Sequence, residues 1–306
     1  MFRVANFAQH QLTMSYTMRT QSAMAQRVID MASGTRGQSY SSISSQSSEL
    51  VNVERSIART TQFNRNIDAA LTRLGVMESS VGIMVQRATE VLSIMSSAMS
   101  GENISDVPLQ EFASTFLAEA ESLLNTQHED RYLFAGSQTN NPAVDLSDPA
   151  YTPQAGLPGL FTADFDYYQG DTLTLSVRTA ETFETSYGVT ADEPAFEQML
   201  RALSYMDYAG ANQDGAVLEQ AFTMMKAAVD GLSDIRGRIG ASSKVLESAK
   251  SGHEDYLTYA TNLVSTLEDV DVAEATTLLA QDDVQLQASY MSLSRLSQMS
   301  LLNYLR

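Results

Sequence analysis

Three histidines, His10, His128 and His253, are the residues of this 306-residue chain best suited to metal or proton chemistry. Two of them open a His-Glu-Asp triplet, His128-Glu129-Asp130 and His253-Glu254-Asp255. Imidazole beside carboxylate is a donor set that zinc accepts. Adjacent residues on a helix point in different directions, however, so one triplet does not close around an ion, and no two histidines have paired-ligand spacing. Acyl transfer needs a nucleophile on a strained turn beside a base, and among the many serines no Gly-x-Ser-x-Gly elbow occurs. The segment Gly237-Arg-Ile-Gly240 lacks the lysine and the strand–helix setting of a phosphate loop and reads as a flexible point in a helix. Cysteine is absent, which excludes disulfides, thiolate catalysis and cysteine-ligated zinc. No catalytic, metal or cofactor residue is assigned, and the chain is read as working without catalysis and without a cofactor.

A hydrophobic fraction of 43% supports a packed core. The net charge of −18 and the pI near 4.4 weigh against nucleic acid, whose phosphates require Lys and Arg, and against an anionic membrane surface. Charge is also unevenly placed. Residues 1–60 hold six Arg against three acids, a net of +3, whereas residues 138–215 hold twelve acids against Arg178 and Arg201, a net of −10. No run approaches the roughly 18 apolar residues of a membrane helix, so no membrane insertion is expected. The first residues lack the apolar stretch of a cleaved signal peptide, so export would use a route that does not read one.

Heptad spacing is the strongest pattern. Leu50, Ile57, Asn64, Leu71, Glu78, Val85, Leu92 and Met99 form one series, and Val53, Thr60, Ile67, Leu74, Val81, Ala88 and Met95 a second, three residues on. Alternating spacings of three and four put both series on one helix face, predicting a long seam packed on another helix, with Asn64 as a polar register residue. Residues 4–28 repeat the period softly: Val4, Gln11, Met18, Ala25 with Phe7, Met14, Gln21, Val28. Gly34, Gly37 and the serine-rich stretch after them predict a turn. On the returning side, Val217, Phe222, Met225, Val229, Leu232, Ile235 and Ile239 predict an apolar helix face. A last helix begins at Asp271-Val-Ala-Glu274, close to a capping box, and carries Leu279, Leu286, Leu293 and Leu296 on to Leu301, Leu302, Tyr304 and Leu305.

The middle changes period. Phe161, Ala163, Phe165, Tyr167 and then Leu173, Leu175, Val177 alternate with polar residues and predict a hairpin turning at Gln169-Gly170-Asp171. All six prolines lie between 108 and 194. The expected fold is mainly α: an elongated, discontinuous helical coiled-coil rod in which N- and C-terminal helices pair, with a small β-rich insertion. The expected domains are an inner terminal coiled coil (1–45 and 268–306), a long-helix bundle (46–137 and 191–267) and an outer insertion (138–190).

Several short segments, in order along the chain, resemble the flagellin superfamily: Ser33-Gly-Thr-Arg36, Asn66-Ile-Asp-Ala-Ala70, Ile235-Arg-Gly-Arg-Ile-Gly240, Asp271-Val-Ala-Glu274, Leu286-Gln-Ala-Ser289 and Ser300-Leu-Leu-Asn-Tyr-Leu305. Arg131-Tyr132-Leu133-Phe134-Ala135-Gly136 is similar to the signature that closes the long helix in its hook–filament junction branch, as is Tyr168-Gln-Gly-Asp171. In place of the Asp-Asp-Pro segment of many relatives the chain has Gln38-Ser-Tyr-Ser-Ser-Ile-Ser-Ser. The resemblance implies a structural subunit of the extracellular flagellum, exported through the flagellar type III apparatus with a dedicated export chaperone. Its implied partners are copies of itself, hook-associated protein 1 and flagellin. The assembly interface would lie on the terminal helices, at Val4, Phe7, Met14, Met18, Val28, Leu279, Leu286, Leu293, Leu296, Leu301, Leu302, Tyr304 and Leu305. The alternatives are a flagellin that forms the filament itself, or a secreted coiled-coil adhesin or translocator.

Overall fold

The structure is a computed structural model that describes residues 2–36, 47–101, 104–158 and 162–302, with side chains at 8–36, 47–101, 104–158 and 162–295. Among the described residues the chain forms six α-helices: α1 (Phe2–Ser33), α2 (Ser47–Ser100), α3 (Leu109–Leu124), α4 (Pro194–Asn212), α5 (Gly215–Glu268) and α6 (Val272–Leu302). Two small antiparallel sheets pair β1 (Gln127–His128) with β2 (Arg131–Tyr132), and β3 (Leu175–Arg178) with β4 (Glu184–Tyr187). The mainly α fold with a small β insertion is therefore observed. Backbone contacts divide the chain into two compact units, Thr60–Asp255 and the combined segments Met1–Arg59 and Tyr256–Arg306.

In the unit 60–255, α2 and α5 run antiparallel, with Lys250 on Asp68 at 2.7 Å and Arg236 on Glu78 at 3.2 Å. The buried apolar residues of α2 in this unit are Ile67, Ala70, Leu74, Met77, Val81, Met84, Ala88, Val91, Met95 and Ala98, an alternation of three and four. The heptad period is as expected, but the seam is turned. The series Ile67, Leu74, Val81, Ala88, Met95 is buried, and its companion is Ala70–Ala98 instead of Asn64–Met99. Leu71, Val85 and Leu92 sit half-buried at the edge, and Met99 is exposed. The two candidate companions are similarly apolar, but the second would desolvate Glu78, which instead pairs with Arg236 in reach of water. Asn64 does reach across to α5, 2.9 Å from Nδ1 of His253. On α5, Val217, Met225, Leu232, Ile235 and Ile239 are buried as expected, while Phe222 and Val229 pack half-buried against the same core.

Two expectations are corrected. The long helix does not run to the signature: it stops at Gly101 and resumes as α3 after Pro108, which lacks the N–H an interior helical position needs. The hairpin expected to turn at Gln169–Asp171 does not form among the described residues; its first-strand position Phe161 lies outside them. Instead β3 pairs downstream with β4, in register Leu175 to Tyr187 through Arg178 to Glu184. Segment 162–168 is committed elsewhere. Asp164 accepts from the amides of Thr152 and Asp166, the local bonding by which Asp competes against strand ladders. Tyr167 is fully buried and donates to the carbonyl of Ala191 at 2.9 Å. Beneath this loop lies Glu197, 2% exposed, bound to Arg201 at 3.1 Å and accepting from the amide of Asp164. Burial pushes the Glu197 carboxyl above its ordinary range, against the pull of those two partners.

Candidate assembly surface

α1 and α6 pack against each other and run antiparallel, as Gln21 with Tyr290, Arg27 with Asp282 and Arg36 with Glu268 require. At the end of α1, Gly34 adopts φ +77°, a left-handed conformation that a side chain disfavours, and lets the chain turn onto the α5–α6 connection. There Val270 donates to the carbonyl of Gly34, the Arg36 amide donates to Glu268, and the Arg36 guanidinium donates to Asp269 at 2.9 Å. A cation on the last carbonyls of α5 is favoured by the helix dipole. Asp271 then caps α6, its carboxylate accepting from Ala273 and Glu274 at 2.9 and 3.1 Å. Two motifs more than 230 residues apart in sequence thus form one junction.

The packed face of α1 is Thr13, Thr17, Thr20, Met24, Arg27 and Met31, of which only Thr17 is fully buried. Thr13, Thr17 and Thr20 each donate to a carbonyl four residues back, which satisfies their hydroxyls within the helix. The packed face of α6 is Ala275, Leu278, Leu279, Asp282, Leu286, Ser289 and Leu293. Of the residues expected at the assembly interface, Leu286 is buried in this seam and Leu279 and Leu293 are half-buried in it. Met14, Met18 and Val28 are instead 45%, 56% and 48% exposed, on the open side of α1 with Leu12, Tyr16 and Ile29. Val284, Tyr290 and Met291 are exposed in the same way on α6. The side chains of Val4, Phe7, Leu296, Leu301 and Leu302 and the whole of Tyr304 and Leu305 lie outside the described residues, as does the serine-rich stretch after Gly37. Arg27, Asp282 and the threonines carry no apolar signal; only their spacing of three and four would have revealed them.

The signature 131–136 is an internal staple of the other unit. Leu133, Phe134 and Ala135 are at most 2% exposed, and Tyr132 is half-buried. Phe134 packs edge-on against Phe196 at 6.0 Å and accepts from the amide of Ala191. Ala135 accepts from the amide of Asp171, whose carboxylate in turn binds the amide and hydroxyl of Ser137. The two motifs Tyr132–Gly136 and Tyr168–Asp171 therefore hold each other. Gly136 sits at φ +67°, and a Cβ there would lie 2.3 Å from the Asp171 carbonyl oxygen. His128-Glu129-Asp130 is not helical: Glu129 and Asp130, at φ +52° and +58°, are the two turn residues between β1 and β2. Glu129 pairs with Arg73 at 3.6 Å. Among the described residues no three His, Asp or Glu groups are placed to hold a metal ion, and no helix is long and apolar enough to cross a membrane.

Residues 222–305 match the family of the bacterial flagellin C-terminal helical region. No curated protein sequence matches the chain. Several solved structures share its fold, three of them as follows. A protein of Vibrio parahaemolyticus assigned as flagellar hook-associated is 17% identical, with a TM-score of 0.61, over 74% of this chain and 100% of that one. FlgL of Bacillus cereus is 18% identical, with a TM-score of 0.55, over 70% and 98%. Flagellar hook-associated protein 3 of Legionella pneumophila is 13% identical, with a TM-score of 0.55, over 71% and 98%.

Proposed function

We propose that this chain is a structural subunit of the bacterial flagellum, a hook-associated protein that joins the hook to the filament by helix-on-helix assembly. The observation that carries the reading is the state of α1 and α6. They are joined through a narrow seam in which, among the described residues, only Thr17, Ala275, Asp282 and Leu286 are buried, while Leu12, Met14, Met18, Val28, Val284 and Met291 stay in water. Apolar helix faces of that extent are the mark of a surface awaiting a partner. The fold shared with hook-associated proteins and the flagellin C-terminal match over 222–305 support the same reading.

The partners are further copies of the chain, hook-associated protein 1 on the hook side and flagellin on the distal side, met after type III export with a chaperone. We assign residues 1–45 and 268–306 to assembly, 46–137 and 191–267 to the supporting bundle, and 138–190 to an insertion. Immunogold labelling of intact flagella tests the role: label confined to the hook–filament joint is expected. Label along the whole filament would make the chain a flagellin.

A further inference from the structure

The geometry points to Arg27 and Asp282 as positioning residues that select which face of α1 turns onto α6, and so keep Met14, Met18 and Val28 free for assembly. The inference rests on the assembly reading above. Each helix offers two stripes to its partner. On α1 the packed stripe is Thr13, Thr17, Thr20, Met24, Arg27 and Met31, and the open one holds Met14, Met18 and Val28. On α6 the packed stripe is the more apolar, with Ala275, Leu278, Leu279, Leu286 and Leu293 around Asp282, and the open one holds Val284 and Met291. Burial of apolar area decides the face of α6 but not that of α1, where Met24 and Met31 are packed and Met14, Met18 and Val28 are left in water. Another group must make the choice on α1.

The ion pair is the group in the seam able to do so. Arg27 Nη1 and Asp282 Oδ2 touch, and both atoms are shielded from water. Rotating α1 to bury Met18 would part them and leave Asp282, 8% exposed, facing the seam without its cation, which costs more than the pair itself. A buried pair adds little net stability over apolar residues of similar size, and the best-attested use of such groups is to fix register. The docking of Arg36 on Glu268 and Asp269 sets how far α6 lies along α1. A contact at one end leaves rotation about each helix axis open; the pair, nine residues inside α1 from Arg36, closes it. The threonines complete the device, since hydroxyls bonded within their own helix lose nothing when packed but offer little to choose one face over another.

The test uses the full chain, which contains no cysteine, so M18C/M291C takes two spin labels and no others. Both positions are open, and the labels are expected to be mobile with a single separation between them. R27A/D282A is expected to draw the two labels about 5–10 Å closer, within the scale of one helix diameter, and to immobilise them. The exchanged pair R27D/D282R is expected to restore the original separation and mobility. An unchanged separation in R27A/D282A overturns the proposal. A broad distribution overturns it too, since the pair would then be a tether only, and so does failure of the exchanged pair to restore the parent values. All measurements are made on the chain alone, so they stand apart from whether it assembles at the hook–filament joint.

Discussion

Gly136 is the residue at which the signature has least freedom. It needs a left-handed backbone, and its missing Cβ is where the Asp171 carbonyl approaches. Gly136→Ala therefore combines backbone strain with overpacking and is expected to cost roughly 2–4 kcal/mol in urea unfolding, with the helical signal of the folded state retained. Asp171 is the electrostatic half of the same staple. Hydrogen bonds from the Ser137 hydroxyl and amide, and then from Leu173, hold its carboxyl below the ordinary range. Because the folded-state value is the lower one, this contribution is present above the ordinary carboxylate pKa of about 3.9 and is lost as pH falls toward the depressed value. In Asp171→Asn the part of the acid-induced loss of stability that lies below about pH 4 should shrink, as read from urea midpoints across pH 2–6. Glu197 belongs to the other extreme. It is buried with Arg201, and Glu197→Ala leaves that guanidinium unpaired, at an expected cost of about 3–5 kcal/mol.

At the scale of the element, the period of α2 was legible in the sequence and its phase was not. Spacings of three and four follow from 3.6 residues per turn, so any helix packed along its length must show them. Several stripes of α2 satisfy that spacing, because Leu71, Val85 and Leu92 are as apolar as Met77, Met84 and Val91. The choice falls to α3, α4 and α5, whose side chains Phe116, Leu203 and Met225 line one cavity with Met84, Ala88 and Val91. Leu74→Ala should cost about 2–5 kcal/mol and Leu71→Ala less than half as much, a contrast that urea denaturation of the two variants resolves. The reverse contrast would restore the phase read from sequence. The hairpin shows the same limit for strands. Alternation at 173–177 marks a strand, and the preceding alternating run offers itself as the partner, yet the chain pairs it with the following one. Alternation marks which residues share a face and says nothing of which neighbour supplies the ladder.

For the whole molecule, the two ends of the chain carry the assembly reading, and their value depends on what they leave unburied. Substituting the open positions, as in M18D/M291D, removes apolar surface without touching the Arg27–Asp282 seam. Thermal and urea midpoints should stay within about 0.5 kcal/mol of the parent, as for surface changes generally. Incorporation at the hook–filament joint should fall sharply, as scored by immunogold labelling of flagella from cells carrying the variant alone. Normal incorporation would move the interface elsewhere on the chain.

The sequence alone determined the helical ends, the change of period between them, the segregation of acid into the middle and the absence of thiol. These are properties of one stretch of backbone and its composition, and no distant partner is needed to read them. It also located the segments that matter, Ser33–Arg36, Tyr132–Gly136, Tyr168–Asp171 and Asp271–Glu274. What only the tertiary structure decided is which of them touch: the first with the connection that opens onto the last, the second with the third. It also decided that Arg27 and Asp282 meet in the seam between α1 and α6 while Met14, Met18 and Met291 face out. The reason is physical. A period belongs to a single helix, but a phase is a choice among its faces, and that choice is settled only by the surface and the charges brought against it from elsewhere in the chain.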